Sequence, residues 1–489
     1  MEVLVSALRV IGILFLVVMV FNLMIIVHEW GHFLAGRWRG LYIDRFQIWF
    51  GKPLWKKTHN GVQYGLGSIP AGGFVSLPQM APMEAVEGSA EDEKTKNLPP
   101  ISPLDKMIVA FAGPLFSFLL AIVFAVVVWA VKKPVSEAVG TTIVGAVVED
   151  SPAANAGLQP GDRITFVDGK KVEKFQGMDR SIMWTIISSD NQNIEVDFVR
   201  PGVGEQSVVV ERPSQDQEVE VDGAWYQQVW SYLSKRPPLR TIGVFPRISP
   251  VVAEALENSP AAEAGLQIGD VITAVDGEPV DQPQDVMEYS WEAGEPVELT
   301  FERGGKSMTA TITPRIPEVD GTEPMLGLRW DADGIRTLVR ENPVAQVVNS
   351  FKAIVKTLSA VFSPQSDVSA GHLSGPVGIM GLYYDLFQHS EGWRLALWFS
   401  VLLNVNLAIL NLLPFPVLDG GHIVTAGVEW IRRRPLPLRF LEVLQMAFVF
   451  LLLGFMAFVT LKDVGDRIPN GDGEEAAPTP KFLPLEDDA

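Results

Sequence analysis

The stretch Val10-Ile-Gly-Ile-Leu-Phe-Leu-Val-Val-Met-Val-Phe-Asn22-Leu-Met-Ile-Ile-Val-His28-Glu29-Trp30-Gly31-His32 joins two features that seldom meet. From Val10 to Val27 it is apolar apart from Asn22, long enough as a helix to cross a hydrocarbon layer of about 30 Å. It then places three ionisable side chains at the end of that span. Such groups at membrane depth are costly and mark a functional site. Positions i and i+4 of a helix share a face, so His28 and His32 can bind one Zn2+. Glu29 stands beside them and can take the proton of a water that the metal activates. The whole chain holds only six histidines, which makes the spacing hard to dismiss as chance.

Three further segments read as membrane spans, at about Met107–Val131, Leu395–Leu413 and Phe440–Leu461. The 489 residues combine 47% hydrophobic content with a net charge of −19. Apolar helices joined to an acidic soluble part reconcile the two values, and the acidity argues against nucleic acid as a partner. With no cysteine, disulfides and thiolate ligands are excluded. Arg37, Arg39, Arg45, Lys52, Lys56 and Lys57 follow the first span, and Arg432, Arg433, Arg434 and Arg439 lie between the third and fourth. Both basic stretches are expected on the cytoplasmic side, with both termini and the large central region outside.

The central region repeats itself. Ser151-Pro-Ala-Ala-Asn-Ala-Gly-Leu-Gln-Pro-Gly-Asp162 returns as Ser259-Pro-Ala-Ala-Glu-Ala-Gly-Leu-Gln-Ile-Gly-Asp270, and each copy leads through an apolar stretch to an Asp-Gly turn, Asp168-Gly169 and Asp276-Gly277. These residues resemble the bacterial PDZ domain. The resemblance implies two small α/β domains that bind extended peptides or C-termini by strand addition. The expected binding loops lie around Val144-Gly145 and Ile242-Gly243, just ahead of each repeat. Beyond them, residues 341 to 363 carry apolar side chains at helical spacing. That helix is expected to lie on the membrane surface or to pack on the second PDZ domain. The segment from about Asn470 is rich in Pro, Asp and Glu and is expected to be disordered.

Catalytic zinc takes three protein ligands and leaves one position open. The third ligand is sought in Asn411-Leu-Leu-Pro-Phe-Pro-Val-Leu-Asp419-Gly-Gly-His422, where Pro414 and Pro416 break the third span. Asp419 and His422 are both candidates, and their spacing does not separate them. Together, the HExxH run, the tandem repeat and N-x-x-P-x-P-x-L-D-G-G-H resemble the site-2 protease family and its RseP-type bacterial members. Ala112-Gly113-Pro114 and Leu373-Ser-Gly-Pro-Val-Gly378 agree with this, and Ser117 stands where the family usually has Asn.

The resemblance implies a zinc-dependent intramembrane endopeptidase with zinc on His28, His32 and Asp419 and with Glu29 as general base. It implies that substrates are single-pass membrane proteins, either anti-sigma factors trimmed outside or remnant signal peptides, cut within a bacterial inner membrane. It also places Asn411 near the scissile bond, where its amide can stabilise the oxyanion. The stretch Gln63 to Leu77, with Gly65 and Gly67 as candidate substrate contacts, reads as short strands whose edge pairs with the unwound substrate. A membrane-anchored peptide receptor would have no use for the intact Glu29, and other metal-dependent membrane enzymes need more histidines near the membrane.

The expected fold is therefore polytopic and α-helical, with four transmembrane helices and two PDZ domains between helices two and three. The expected division is 1–36 helix one, 37–103 basic loop and membrane-associated β region, 104–133 helix two, 134–235 and 236–317 the PDZ domains, and 318–392 linker and amphipathic helix. It continues with 393–422 helix three, 423–439 basic loop, 440–462 helix four and 463–489 acidic tail.

Overall fold

Four long helices hold the molecule's apolar half: α1 (Glu2–Trp38), α2 (Pro103–Val131), α5 (Gly392–Asn411) and α7 (Leu438–Gly465). A computed structural model describes residues 2–80, 98–99, 101–212, 234–237, 239–318, 323–363, 366–389, 391–467 and 481–482. Each long helix is apolar and long enough to cross a membrane. Their outer faces expose large apolar side chains such as Leu8, Phe15, Val123, Phe450 and Leu453, as lipid contact would require. Most of the expected acidic tail lies outside the described residues.

Between α1 and α2 the chain makes a four-stranded sheet from β1 (Arg45–Phe50), β2 (Trp55–His59), β3 (Val62–Leu66) and β4 (Ile69–Ser76). Its order is β2-β3-β1-β4. Phe46, Val62 and Val75 bury themselves against Phe33 of α1 and Val109 and Ala112 of α2. Asn22, the one amide of the first apolar run, donates to the Val18 carbonyl (2.7 Å) and the Pro70 carbonyl (3.3 Å), tying β4 to α1.

In chain order, the repeat units lie between α2 and α5. The first unit has strands Lys170–Lys171, Arg163–Val167, Asn193–Arg200 and Gly204–Glu211 side by side; the second repeats that order with Glu278–Pro279, Val271–Val275, Val297–Arg303 and Lys306–Ile312. The shared motif builds the same parts twice. Ser151 and Ser259 cap short helices by accepting from the Ala154 and Ala262 amides (3.2 Å each), with proline at the next position. Asp162 and Asp270 each take a two-pronged bond from Arg200 and Arg303. In both Asp-Gly turns the two residues have positive φ, 48° and 68° in the first and 48° and 82° in the second, as a tight hairpin demands.

The expected unit boundaries move. Strand Val244–Pro246 pairs with Val144–Val147, and Leu328–Trp330 pairs with Val252–Ala255. Ile242-Gly243 therefore closes the first unit and does not open the second. The two expected binding loops, at Val144 and Ile242, are neighbours in one unit, and the second unit's counterpart is Leu326-Gly327. Each unit is completed by a strand that comes after its repeat motif.

The expected amphipathic helix is α3 (Pro343–Phe362). Among the described residues it packs on the bundle and the first unit. Ile354 joins Ala121 and Phe124 of α2 and Val401 of α5, and Gln346 donates to the Ala125 carbonyl (3.1 Å). Lys356 pairs with Asp179, and Ala360 sits with Ile187. Val344, Val348, Phe351 and Val355 remain exposed along one stripe. A helix α4 (Pro376–Gln388) follows, beginning within the Leu373–Gly378 motif. The Gly375 and Gly378 amides donate to Asp463 near the end of α7 (3.0 and 2.8 Å). Arg236, just ahead of the first unit's closing strand, donates to the other Asp463 oxygen (2.6 Å). The third span does not run on to 422. It ends at Asn411, a turn carries Pro414 and Pro416, and Asp419 starts a separate helix α6 (Asp419–Arg432) that takes up much of the expected basic loop.

A buried ion cluster ties the first unit to the segment after α3. Arg212 donates to Asp367 (2.6 Å), and the two side chains are 1% and 2% exposed; Arg240 bonds the other carboxylate oxygen (2.6 Å). Asp367→Ala strands a buried guanidinium, so we expect a loss of about 3–5 kcal/mol. Thermal unfolding in detergent checks this, with exposed Asp281→Ala as the near-neutral comparison.

Candidate metal centre

His28 and His32 lie one helical turn apart on α1, and Asp419 reaches them from the first turn of α6. All three are buried. The two Nε2 atoms are 3.3 Å apart, Asp419 Oδ2 is 3.3 Å from His28 Nε2, and Oδ1 is 3.3 Å from His32 Nε2. Tetrahedral zinc with bonds of about 2.0–2.1 Å holds its ligand atoms about 3.3 Å from one another. Each histidine nitrogen has that spacing from the other and from one Asp419 oxygen, and Asp419 Oδ2 is a buried oxygen with no hydrogen-bond partner. Among the described residues these three form the one His, Asp and Glu group close enough to hold an ion. The residues fit the metal.

Each imidazole is oriented from behind. His32 Nδ1 lies 2.8 Å from the Val109 carbonyl, which can only accept, so Nδ1 carries the proton and the Nε2 lone pair is free for a metal. His28 Nδ1 lies 3.0 Å from Ser117 Oγ. The serine found where a family member would carry Asn thus supplies a hydrogen-bond acceptor for a candidate ligand. Both backing groups sit on α2, which can come this close because of Gly113. A Cβ there would stand 2.2 Å from His32 Nε2 and 2.9 Å from His28 Nε2. Gly420 and Gly421 do the same for α6: a Cβ at either would meet the turn carbonyls of Leu412 or Phe415 within 2.3 Å. His422, the rival candidate, is buried but stands outside the cluster.

Glu29 follows His28 on α1 and keeps partial exposure. Gly73 of β4 lies against it, with its Cβ position 3.8 Å from Glu29 Cγ. The Asp44 amide donates to the Ser76 carbonyl (3.2 Å), so Ser76 faces inward across the sheet. Alternation then turns the polar groups of Val75 and Gly73 outward, towards α1. β4 is the sheet edge on this side.

Gly65 and Gly67 do not lie on that edge. Gly65 sits in β3, between β1 and β2, and Gly67 donates to the Ile48 carbonyl (2.8 Å). Their backbone groups are already used inside the sheet. Asn411 ends α5, partly exposed, where the turn to Asp419 begins. Two supports escaped sequence reasoning, the Val109 carbonyl and the Asn22 clasp. A backbone carbonyl leaves no mark in a sequence, while the single amide in an apolar run did.

Buried between apolar helices, a two-histidine, one-carboxylate cluster with a glutamate beside it has the donor set and the base that a metal-dependent peptidase requires. Residues 15–455 match the sequence profile of peptidase family M50, and the chain belongs to that family. A Neisseria meningitidis protein provisionally named a zinc metalloprotease is 30% identical over 92% of this chain and 98% of its own. The regulator of sigma-E protease RseP of Salmonella typhimurium is 28% identical over 85% of this chain and 90% of its own. A solved PDZ domain of an SdrC-like protein from Listeria monocytogenes is similar at 28% identity over 17% of this chain and 90% of its own, with a TM-score of 0.16. The protein is a zinc-dependent metalloprotease of the membrane.

Gly113→Ala should cost most of the bound zinc, measured by metal analysis of purified protein. Gly427→Ala, where a Cβ meets nothing within 4 Å, should keep it. Ser117→Ala should weaken zinc binding by about 10–100-fold, and Ser117→Asn should restore it.

Proposed function

We propose that the chain cuts transmembrane segments of single-pass membrane proteins, of the anti-sigma factor or remnant signal peptide type. His28, His32 and Asp419 hold the zinc and Glu29 is the general base. The observation that carries this reading is the cluster of His28, His32 and Asp419, each pair of side chains 3.3 Å apart, beside Glu29 on a helix of membrane-spanning length. Bound zinc supplies a Lewis acid that activates a water and polarises a carbonyl. Glu29 takes the proton of the attacking water and returns it to the departing amine. Asn411 is placed as a donor to the oxyanion.

A helical substrate hides its carbonyls in its own hydrogen bonds and has to be unwound first. The edge of β4 can replace those bonds. It is held to α1 by Asn22, and its Gly73 packs against Glu29. Substrate is therefore assigned to β4 as an added strand, in place of Gly65 and Gly67. The repeat units act as PDZ domains that take extended peptides or C-termini.

The protein lies in a bacterial inner membrane. Its repeat units and termini face outward and its centre lies near the cytoplasmic side. Two features support this orientation. Basic residues cluster after α1 and after α6, and the first repeat unit meets the end of α7 through Arg236 and Asp463.

Glu29→Gln should retain zinc and lose cleavage of a tagged single-pass peptide in detergent; residual cutting near the wild-type rate would remove Glu29 from the mechanism. Val75→Pro takes a donor from the β4 edge. It should keep zinc and lower cleavage at least about 10-fold, and matching loss of zinc would instead mean a folding defect.

A further inference from the structure

Far from the metal, the second repeat unit already holds a piece of the chain's own end. Phe482 is 6% exposed although it belongs to the acidic C-terminal segment. Its ring lies against the turn Leu326-Gly327. Gly327 has φ of 73°, and a Cβ there would stand 2.8 Å from Phe482 Cε2 and 2.4 Å from Ser259 Cβ. The Arg315 guanidinium lies 5.9 Å from the ring centroid, within the range of cation–π attraction. Arg315 is itself held by the Asn258 carbonyl (2.6 Å) and Glu263 (2.7 Å). The backbone joins in, for the Glu318 amide donates to the Lys481 carbonyl (2.9 Å).

The first unit has the same turn without the occupant. Gly243 has φ of 83°, and its Cβ position meets Ser151 Cβ at 2.3 Å, as Gly327 meets Ser259. In both units the turn is fixed from behind in the same way. Ala153 donates to the Ile242 carbonyl and Ala261 to the Leu326 carbonyl (2.9 and 3.0 Å). The cradle is thus built twice, and among the described residues only the copy that has Arg315 beside it holds an aromatic ring.

We propose that the second repeat unit carries a peptide-binding site formed by Gly327, Ser259, Arg315 and the Glu318 amide, and that the chain's own Lys481-Phe482 is its resident ligand. The ligand class is an extended peptide with an aromatic side chain: a cation over the ring reads the aromatic, and one main-chain hydrogen bond fixes the residue before it. A tethered segment meets its site at an effective concentration on the order of millimolar. An outside peptide of like sequence is therefore shut out until the segment leaves.

The test needs neither zinc nor proteolysis, so its outcome is independent of the protease reading. A fluorescein-labelled peptide, Thr-Pro-Lys-Phe-Leu-Pro-Leu, copies residues 479–485. Its binding is measured on full-length protein in detergent, as wild type, Phe482→Asp and Phe482→Trp. The proposal expects binding at least about 10-fold tighter to Phe482→Asp than to wild type, and wild-type behaviour for Phe482→Trp. It also expects faster amide hydrogen exchange at 325–330 in Phe482→Asp, returning to the wild-type rate when peptide is added. Equal binding by wild type and Phe482→Asp, binding by neither, or binding that leaves 325–330 unprotected would each overturn it.

Discussion

Two imidazoles and a carboxylate, drawn to within 3.3 Å of one another among apolar helices, set the terms for everything around them. Without a cation, such a cluster has an uncompensated buried oxygen and crowded nitrogens, and burying it would be costly. The neighbouring structure is arranged to hold it. α2 must approach closely enough to back both rings, which limits position 113 to glycine. α6 must start where α5 stops, which accounts for the prolines and the paired glycines of the turn. The sheet must press against the same turn of α1, which Asn22 secures from within the apolar run. The long helices, the β region and the broken third span follow from one small polar point.

Much of this was legible in the residues because each signal has a local cause. The HExxH spacing reports a helix face, the apolar runs report a hydrocarbon thickness, and the Asp-Gly pairs report a turn that needs positive φ twice. Asp419 was within reach as a partner because it follows a predictable break, although His422 could be set aside only in three dimensions.

What escaped was pairing over long distance. A Gly-rich strand does not reveal whether it lies inside a sheet or at its edge, so Gly65 and Gly67 were named as substrate contacts although the nearby free edge belongs to β4. The strand that closes each repeat unit lies just ahead of the next element, and sequence order alone suggested the wrong owner for Ile242-Gly243. In the same way, the apolar positions of α3 gave a face but no partner, and the partner is the first unit with α2 and α5. Ser117 looked like a departure from the family pattern, and its hydroxyl now has a function behind His28.

Asp463 gives the molecule a mechanical property. It is 2% exposed and accepts from both glycine amides at the start of α4 and from Arg236, just ahead of the first unit's closing strand. If Arg236 swung away alone, the carboxylate at the foot of α7 would lose its counter-charge while still enclosed, a penalty of several kcal/mol. Arg236, the start of α4 and the end of α7 are therefore clamped to one carboxylate. A load on the first repeat unit has a packed route through α4 to α1, the helix that carries His28 and His32.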